Sequence, residues 1–377
     1  MPTTLHKPLL PAHYSLWSEP PDEAGDEALH IVSERRSIKL KGKAFREFRN
    51  AVVPLLDGRH TLDDIHAATA TLFDLDDLAA CIALLADHGV VVEGEGLEQY
   101  DAIATRLAPQ LNFFHDVLPN VDVQARLGKA TVAVLGLSGA GAGVALTLGA
   151  AGVGHVRCVD ASVVVPADVY LSPLFTLAHV GSPRTACVTL ALAASAPETR
   201  ATADNGTLQS EDDLRRAIGD ADYIVCCLDA GQSNLVFKLN RVCLALKKRW
   251  VTCALSGDEI VLGPGIDPWR TACYLCYRMR TVACSGNPED AYAYERHLDR
   301  RKHDDSDRRE NLVFGAGLAA NFLGLEVVKA VAGMSEPSLA GRLLTIRLTN
   351  LTIQRHSVLR KPWCPACFAQ EGHTDGH

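Results

Sequence analysis

Two kinds of hydrophobic patterning divide the chain. Up to residue 95, short alternating apolar runs are followed by helical stripes. From Ala130 onward, continuous apolar runs alternate with helical patterns. In the first stretch, His13–Trp17, Ala28–Val32 and Ser37–Leu40 alternate apolar and polar positions and predict a three-stranded meander. Ala44, Phe45, Phe48, Val52 and Leu55 form a stripe that predicts a helix over Lys43–Leu56, closed by Asp57 and Gly58. Thr61, with an acid three residues on at Asp64, reads as the N-cap of a second helix. A third helix opens at Asp74 or Asp76, runs through Leu85 and stops at Gly89, and Val90–Val92 follows as a short strand. Three strands and three helices of this size make a winged-helix-like module over residues 1–95.

Residues 96–128 read as a mixed, partly helical connector, and a second domain covers residues 129–377. Its first strand, Ala130–Leu135, is apolar throughout, as in a buried parallel sheet. Val156–Val159, Tyr223–Leu228 and Trp250–Leu255 read as further strands. Helical patterns at Ala142–Ala151, Thr185–Ala194 and Leu235–Leu246 separate them, so the expected fold class is α/β with a doubly wound sheet. Ser285–Asn311 is highly charged and reads as a solvated surface helix or loop, with a mobile interface loop as the functional reading. Gly315–Gly333 is a helix rich in small residues, and Leu343–Arg347 and Thr352–Arg355 are a final pair of strands.

Composition narrows the classes. At 377 residues the chain is long enough for two or three domains, at roughly 150 residues each. A net charge of −8 gives no general attraction to nucleic acid or anionic membrane, which weighs against a DNA-binding winged helix. Met1–Pro20 is Pro-rich without an apolar core segment, and no run of eighteen apolar residues occurs, so neither a secretory signal nor a membrane span is expected. Twelve cysteines without a signal point to a reducing cytoplasm and to metal rather than disulfides. Two C-x-x-C pairs, Cys273/Cys276 and Cys364/Cys367, supply four thiolates, a complete tetrahedral set for structural zinc. Most of the others (Cys81, Cys158, Cys187, Cys226, Cys227, Cys243, Cys253) sit in apolar runs and read as core, whereas Cys284 lies beside a polar loop.

After the first strand comes G-L-S-G-A-G-A-G, from Gly136 through Ser138, Gly139 and Gly141 to Gly143, opening a helix. Such a turn sets free N–H groups under a phosphate, and Asp160, at the end of the next strand, can accept from ribose hydroxyls. Glycines also pack helix on strand, so at this point a nicotinamide dinucleotide, ATP and plain packing all remain open.

The run from Leu148 to Asp160, the segment Val225–Asp229 with its following helix, and the two cysteine pairs resemble the ThiF-like, ubiquitin-activating-enzyme-like adenylating fold over Leu127–Phe368. The resemblance implies that Gly136, Ser138, Gly139, Gly141, Asp160 and Asp229 face the nucleotide, with Asp229 on Mg²⁺. It also implies roles for Arg184 and Asp229 if ATP is used. Departures are specific. Ser162 replaces a second acid, Val169–Pro173 lacks the arginine of an Asn-x-x-Arg-Gln segment, and Arg184 stands where the family has lysine. Those cations stabilise negative charge on the α-phosphate, so ATP chemistry is expected to be weak or absent.

Pro54–Thr61, its flanking strands and Gly89–Glu93 resemble the PqqD-like winged helix known as the RiPP recognition element. That likeness implies that a leader peptide adds as a strand to the edge Arg36, Ser37, Ile38, Lys39, Leu40 and Lys41, opposite Leu78, Cys81, Ile82 and Leu85. Val261–Cys276 and Arg355–Cys367 resemble the leader-binding subunits of azoline-forming cyclodehydratases. The expectation is therefore a cytoplasmic, zinc-stabilised, homodimeric protein that presents a precursor peptide to a separate YcaO-type cyclodehydratase. An autonomous ATP-dependent adenylating enzyme acting on its peptide is the alternative, and a nicotinamide oxidoreductase comes third.

Overall fold

After a two-residue strand β1 (Pro8–Leu9), the three alternating runs near the N-terminus form β2 (Ser15–Glu19), β3 (Glu27–Val32) and β4 (Ser37–Gly42). They pair antiparallel in the order β2-β3-β4 in the computed structural model, which describes residues 5–95, 101–118, 122–228, 232–300 and 311–368. The chain divides into two units, residues 1–124 and 125–377.

In the first unit the predicted helix over Lys43–Leu56 is not one α-helix. A single turn α1 (Phe45–Glu47) passes into a π turn at Phe48–Val52 and a 3₁₀ turn at Val53–Leu55. Pro54 has no N–H to donate, so an α ladder cannot continue through it. The capping signals hold. Thr61 Oγ1 accepts from the Asp64 N–H at 3.2 Å, and Asp64 Oδ2 accepts from the Thr61 N–H at 2.9 Å, opening α2 (Leu62–Thr69). Asp74 Oδ1 accepts from the Asp77 N–H at 2.7 Å, opening α3 (Leu75–Asp87). Leu29 and Ile31 of β3 are fully buried and cluster with Phe48, Val52, Ile65, Leu78, Ile82 and Leu85. Strand β5 (Val92–Glu93) is shorter than its apolar run and pairs with β1. Helix α4 (Asp101–Val117) follows. Arg36 ties this unit together by donating to the carbonyls of His88 at 2.6 Å and Asp116 at 2.8 Å.

Helix α5 (Val123–Lys129) leads into the second sheet. Its strands are β6 (Thr131–Leu135), β7 (His155–Val159), β8 (Arg200–Asp204), β9 (Tyr223–Cys226), β10 (Arg249–Ser256), β11 (Glu259–Ile266), β12 (Arg342–Arg347) and β13 (Thr352–Ser357). They lie in the order β13-β12-β11-β10-β9-β6-β7-β8. The five strands from β8 to β10 are parallel, and the last three are antiparallel, giving a mixed Rossmann-type sheet. The chain runs outward from β6 to β7 and β8, then returns to β9 on the other side. The β6/β9 boundary is thus the switch point, where α/β sheets bind ligands.

Helices follow the strands: α6 (Ala140–Ala150), α7 (Pro166–Leu171), α8 (Arg184–Ser195), α9 (Glu211–Ile218), α10 (Ser233–Ala245), α11 (Tyr274–Ala283), α12 (Pro288–Arg300) and α13 (Val313–Ala332). Alternation along β6 sends Ala133 and Leu135 into one core with Leu214, Ile218, Leu239, Val242 and Trp250. Helix α13 is the one described helix long and apolar enough to cross a bilayer, yet it packs along α6 and holds a buried Glu326 that accepts the Leu339 N–H at 2.7 Å. Within the charged stretch Ser285–Asn311, α12 covers Pro288–Arg300, and residues 301–310 lie outside the described residues.

Gly136 and Gly141 fix how the first turn closes. Gly136 has φ +84°, and a Cβ there would lie 2.6 Å from the Cys227 carbonyl oxygen. A Cβ on Gly141 would lie 1.8 Å from the Gly136 oxygen, whereas one on Gly317 of α13 would meet nothing within 4 Å. Gly141→Ala is therefore expected to cost about 1–3 kcal/mol by overpacking. Gly317→Ala should gain up to about 1 kcal/mol from helix propensity. Chemical denaturation of the two variants beside the parent checks both signs.

Candidate functional site

The residues beyond β7 close on the glycine turn through charge. Asp160 follows β7. Its Oδ2 accepts from the Leu137 N–H at 2.8 Å and its Oδ1 from the Ser162 N–H at 2.8 Å. Asp168 sits in the first turn of α7. Its Oδ2 accepts from the Val165 N–H at 2.9 Å, and its Oδ1 accepts from the Ser138 hydroxyl at 2.9 Å. Arg184, the first residue of α8, bridges the two. Its Nε donates to Asp168 Oδ2 at 2.8 Å and its Nη1 to Asp160 Oδ2 at 3.3 Å. All three side chains are buried: Asp168 is 1% exposed, Arg184 7% and Asp160 9%.

This cluster changes what the turn can do. A phosphate-binding turn offers unpaired N–H groups and nearby positive charge. Here the Leu137 N–H is already held by a carboxylate. One guanidinium between two carboxylates leaves one negative charge beneath the turn. Asp160 has both oxygens engaged by the protein itself, so the ribose-binding role expected of it competes with three internal hydrogen bonds. The groups present are thus a poor fit for a triphosphate. Of the residues singled out in the sequence, the structure brings Gly136, Ser138, Gly139, Gly141, Asp160 and Arg184 together around this turn. Sequence reading missed Asp168, whose signal is an acid three residues after Val165 in a helix's first turn. Asp229 lies outside the described residues.

Beside the turn, at the C-terminal ends of β9 and β10, is a cavity of about 350 Å³ lined by Ser138, Gly139, Cys227, Thr252, Cys253 and Tyr277, among others. Cys227 and Cys253 approach to 3.7 Å between sulfurs. Helix α12 contributes Tyr294 and Glu295 to the wall, and Glu295 is ion-paired with Arg278 of α11. The charged insertion therefore borders the cavity. Deep cysteines are unreactive by environment: burial pushes the thiols of Cys158 and Cys226 up to about 12, and that of Cys81 up to about 11.

The two C-x-x-C pairs converge. Sγ–Sγ distances are 3.8 Å for Cys273–Cys276, 3.7 Å for Cys273–Cys364 and 3.6 Å for Cys276–Cys367, and all four sulfurs lie within 4.8 Å of one another. A tetrahedron of zinc–sulfur bonds of about 2.3 Å has edges of about 3.8 Å, so the set fits a closed tetrahedral ion without an open position. Each of the four is at most 3% exposed. The Lys361 N–H points at Cys276 Sγ at 3.3 Å, the N–H···S contact expected around a metal-bound thiolate. Burial pushes the Cys273 thiol up to about 12, so a metal must displace protons to bind. Arg360 braces the loop by donating to the carbonyls of Thr271 and Trp269.

At the anticipated peptide edge, Ser37, Lys39 and Lys41 of β4 are exposed, while Ile38 and Leu40 are half-buried. Leu78, Ile82 and Leu85 of α3 are core residues, and the half-buried Cys81 packs against the same cluster as Ile38 and Leu40. Lys39 Nζ lies 2.9 Å from Glu19.

Two results are expected. Cys273→Ser or Cys364→Ser should remove about one zinc per chain, read by metal analysis, and loosen the loops around Cys276 and Cys367. Arg184→Leu should leave two buried carboxylates uncompensated and cost about 3–5 kcal/mol in a denaturant titration. Retained zinc in the first case, or unchanged stability in the second, contradicts the corresponding assignment.

A model of the ThiF family matches residues 107–366. Protein HesA of Nostoc sp. (strain PCC 7120) is 30% identical over 256 residues, covering 67% of this chain and 90% of that protein. The sulfur carrier protein ThiS adenylyltransferase of Escherichia coli is 30% identical over 159 residues, 41% of this chain and 61% of that protein. Among solved structures, the microcin C7 biosynthetic enzyme MccB in complex with N-formylated MccA superposes with a TM-score of 0.65 at 19% identity, covering 96% of this chain and 99% of that one. E. coli MccB with ATP gives the same TM-score. At such identity the likeness shows the fold. The family match and the relatives together establish that this chain belongs to the ThiF family of adenylyltransferase-like proteins.

Proposed function

We propose that this protein binds the leader of a ribosomally made precursor peptide and presents it to a separate YcaO-type cyclodehydratase. Its ThiF-family domain then serves as a zinc-stabilised docking platform in the cytoplasm. The observation that carries the reading is the closed Asp160–Arg184–Asp168 cluster, which occupies the glycine turn with the protein's own charges. Support for peptide binding comes from the first unit. Among the described residues strand β4 pairs only with β3, which leaves its other edge for β-augmentation, and half-buried Ile38 and Leu40 pack in one cluster with residues of α3. MccB, a microcin C7 biosynthetic enzyme solved in complex with N-formylated MccA, superposes over 96% of this chain. Residues 1–95 would act as a winged-helix recognition element and Arg36–Lys41 as the docking strand, with homodimerisation through the ThiF-family domain.

A second reading has an observation of its own. The glycine turn, the start of α6 and a cavity of about 350 Å³ are retained at the switch point, and MccB has been solved with ATP. On that reading the chain adenylates its peptide and releases pyrophosphate without a partner.

The test uses a synthetic precursor peptide that carries a leader segment. Fluorescence anisotropy should show leader binding that Lys39→Glu with Lys41→Glu weakens at least about tenfold, because both charges flank the docking edge. Mass spectrometry should show loss of one water per ring only when a YcaO protein is added. Pyrophosphate release with peptide and ATP alone would instead establish the second reading.

A further inference from the structure

Two cysteines meet in the wall of the cavity beside the glycine turn. In the parallel pairing of β9 with β10, Cys226 lies opposite Thr252. One position further along both strands come Cys227 and Cys253. Cys227 carries the ladder past the end of β9, because its N–H donates to the Leu135 carbonyl of β6 at 2.8 Å. Residues opposite one another in a strand pair project to the same face, and here the two sulfurs approach to 3.7 Å. Neighbouring strands lie about 4.8 Å apart. That spacing falls within the Cα separation of about 4.4–6.8 Å that a disulfide spans. Side-chain rotation is therefore enough to join these two thiols.

Access separates this pair from the chain's deeper cysteines. Cys227 is 7% exposed and Cys253 is half-buried, and both line the cavity of about 350 Å³. Cys226 and Cys243 belong instead to the apolar core with Leu135, Val242 and Trp250, and burial pushes both of their thiols far up. The four converging cysteines near α11 are committed to one another.

The rest of the wall says what can enter. It mixes the hydroxyls of Ser138, Thr252 and Tyr277 with apolar side chains such as Val236 and Val261. Arg278 and Glu295 pair with each other across it. Such a lining suits a small molecule with hydroxyl or amide groups and little net charge.

We infer that Cys227 and Cys253 form a thiol–disulfide exchange site whose substrates are low-molecular-weight disulfides that enter this cavity. Cys253, the more accessible of the two, attacks one sulfur of the incoming disulfide as the thiolate. A mixed disulfide forms on Cys253, the incoming S–S bond breaks, and the first small thiol leaves with a proton. Cys227 then gives up its own proton, attacks Cys253 Sγ and expels the second small thiol. Two protein thiols and one small disulfide thus become one protein disulfide and two small thiols. The protein pair is oxidised by two electrons and the small disulfide is reduced by the same two. The new bond joins β9 to β10 in the cavity wall. This site stands whichever of the two functional readings holds, and it takes nothing from the zinc set.

The probe is hydroxyethyl disulfide, added to the full-length, zinc-loaded protein at neutral pH. After an acid quench, proteolysis without reductant and mass spectrometry locate every disulfide. The parent protein should yield a peptide pair linked through Cys227 and Cys253, with zinc content unchanged, and dithiothreitol should return both thiols. Cys227→Ser should trap the small thiol as a mixed disulfide on Cys253, since the resolving thiol is gone. Cys253→Ser should leave Cys227 unmodified over the same time, because Cys227 is the deeper of the two. Recovery of both cysteines as thiols in the treated parent protein overturns the proposal, and so does a disulfide from either one to a third cysteine. An adduct on Cys227 in the Cys253→Ser variant overturns the assigned order of attack. Mapping of the parent protein needs neither variant to fold, so the central result does not depend on them.

Discussion

Arg184 begins α8, where a positive charge meets the positive end of the helix dipole. It is tolerated there because Asp160 and Asp168 close on it from two directions, one at the end of β7 and one in the first turn of α7. Asp160 in turn holds the Leu137 N–H, and Asp168 holds the Ser138 hydroxyl, so the glycine turn depends on this one guanidinium. A buried ion cluster of this kind adds little net stability over apolar packing, but opening it is costly. It therefore fixes one conformation of the turn. In that conformation the Leu137 N–H and the Ser138 hydroxyl are both engaged by the protein's own carboxylates.

The rest of the second unit arranges itself around that fixed point. Parallel strands place the turn and the cavity at the switch point, and antiparallel β11 to β13 extend the sheet away from it. The Cys273, Cys276, Cys364 and Cys367 cluster ties the start of α11 to the segment after β13, which Arg280 and Arg360 also join through hydrogen bonds to backbone carbonyls. A zinc ion held by all four thiolates would be saturated, and its role there would be mechanical. The ThiF-family scaffold is thus kept intact while its nucleotide turn is filled from within.

Much of this was legible in the sequence because it rests on local signals. The continuous apolar runs gave β6, β7, β9 and β10. Thr61 with Asp64, and Asp74 with Asp77, gave the starts of α2 and α3. Both cysteine pairs were visible from spacing alone. What was missed lacks such signals. Strand β8, Arg200–Asp204, is a short, polar edge strand without an apolar run, and β11 contains Gly263, Pro264 and Gly265, which argue against a strand. The π and 3₁₀ turns after α1 follow from Pro54, whose effect the apolar stripe concealed. Asp168 was overlooked because its meaning is tertiary. Nothing around it in sequence points to Arg184, sixteen residues on.

Calorimetric titration of the zinc-loaded protein with Mg·ATP tests the central claim most directly, because it asks only whether the turn accepts a triphosphate. The account predicts no binding up to millimolar nucleotide, with the Asp160–Arg184–Asp168 cluster remaining closed. Micromolar binding would contradict it, and would mean that the cluster opens to admit nucleotide.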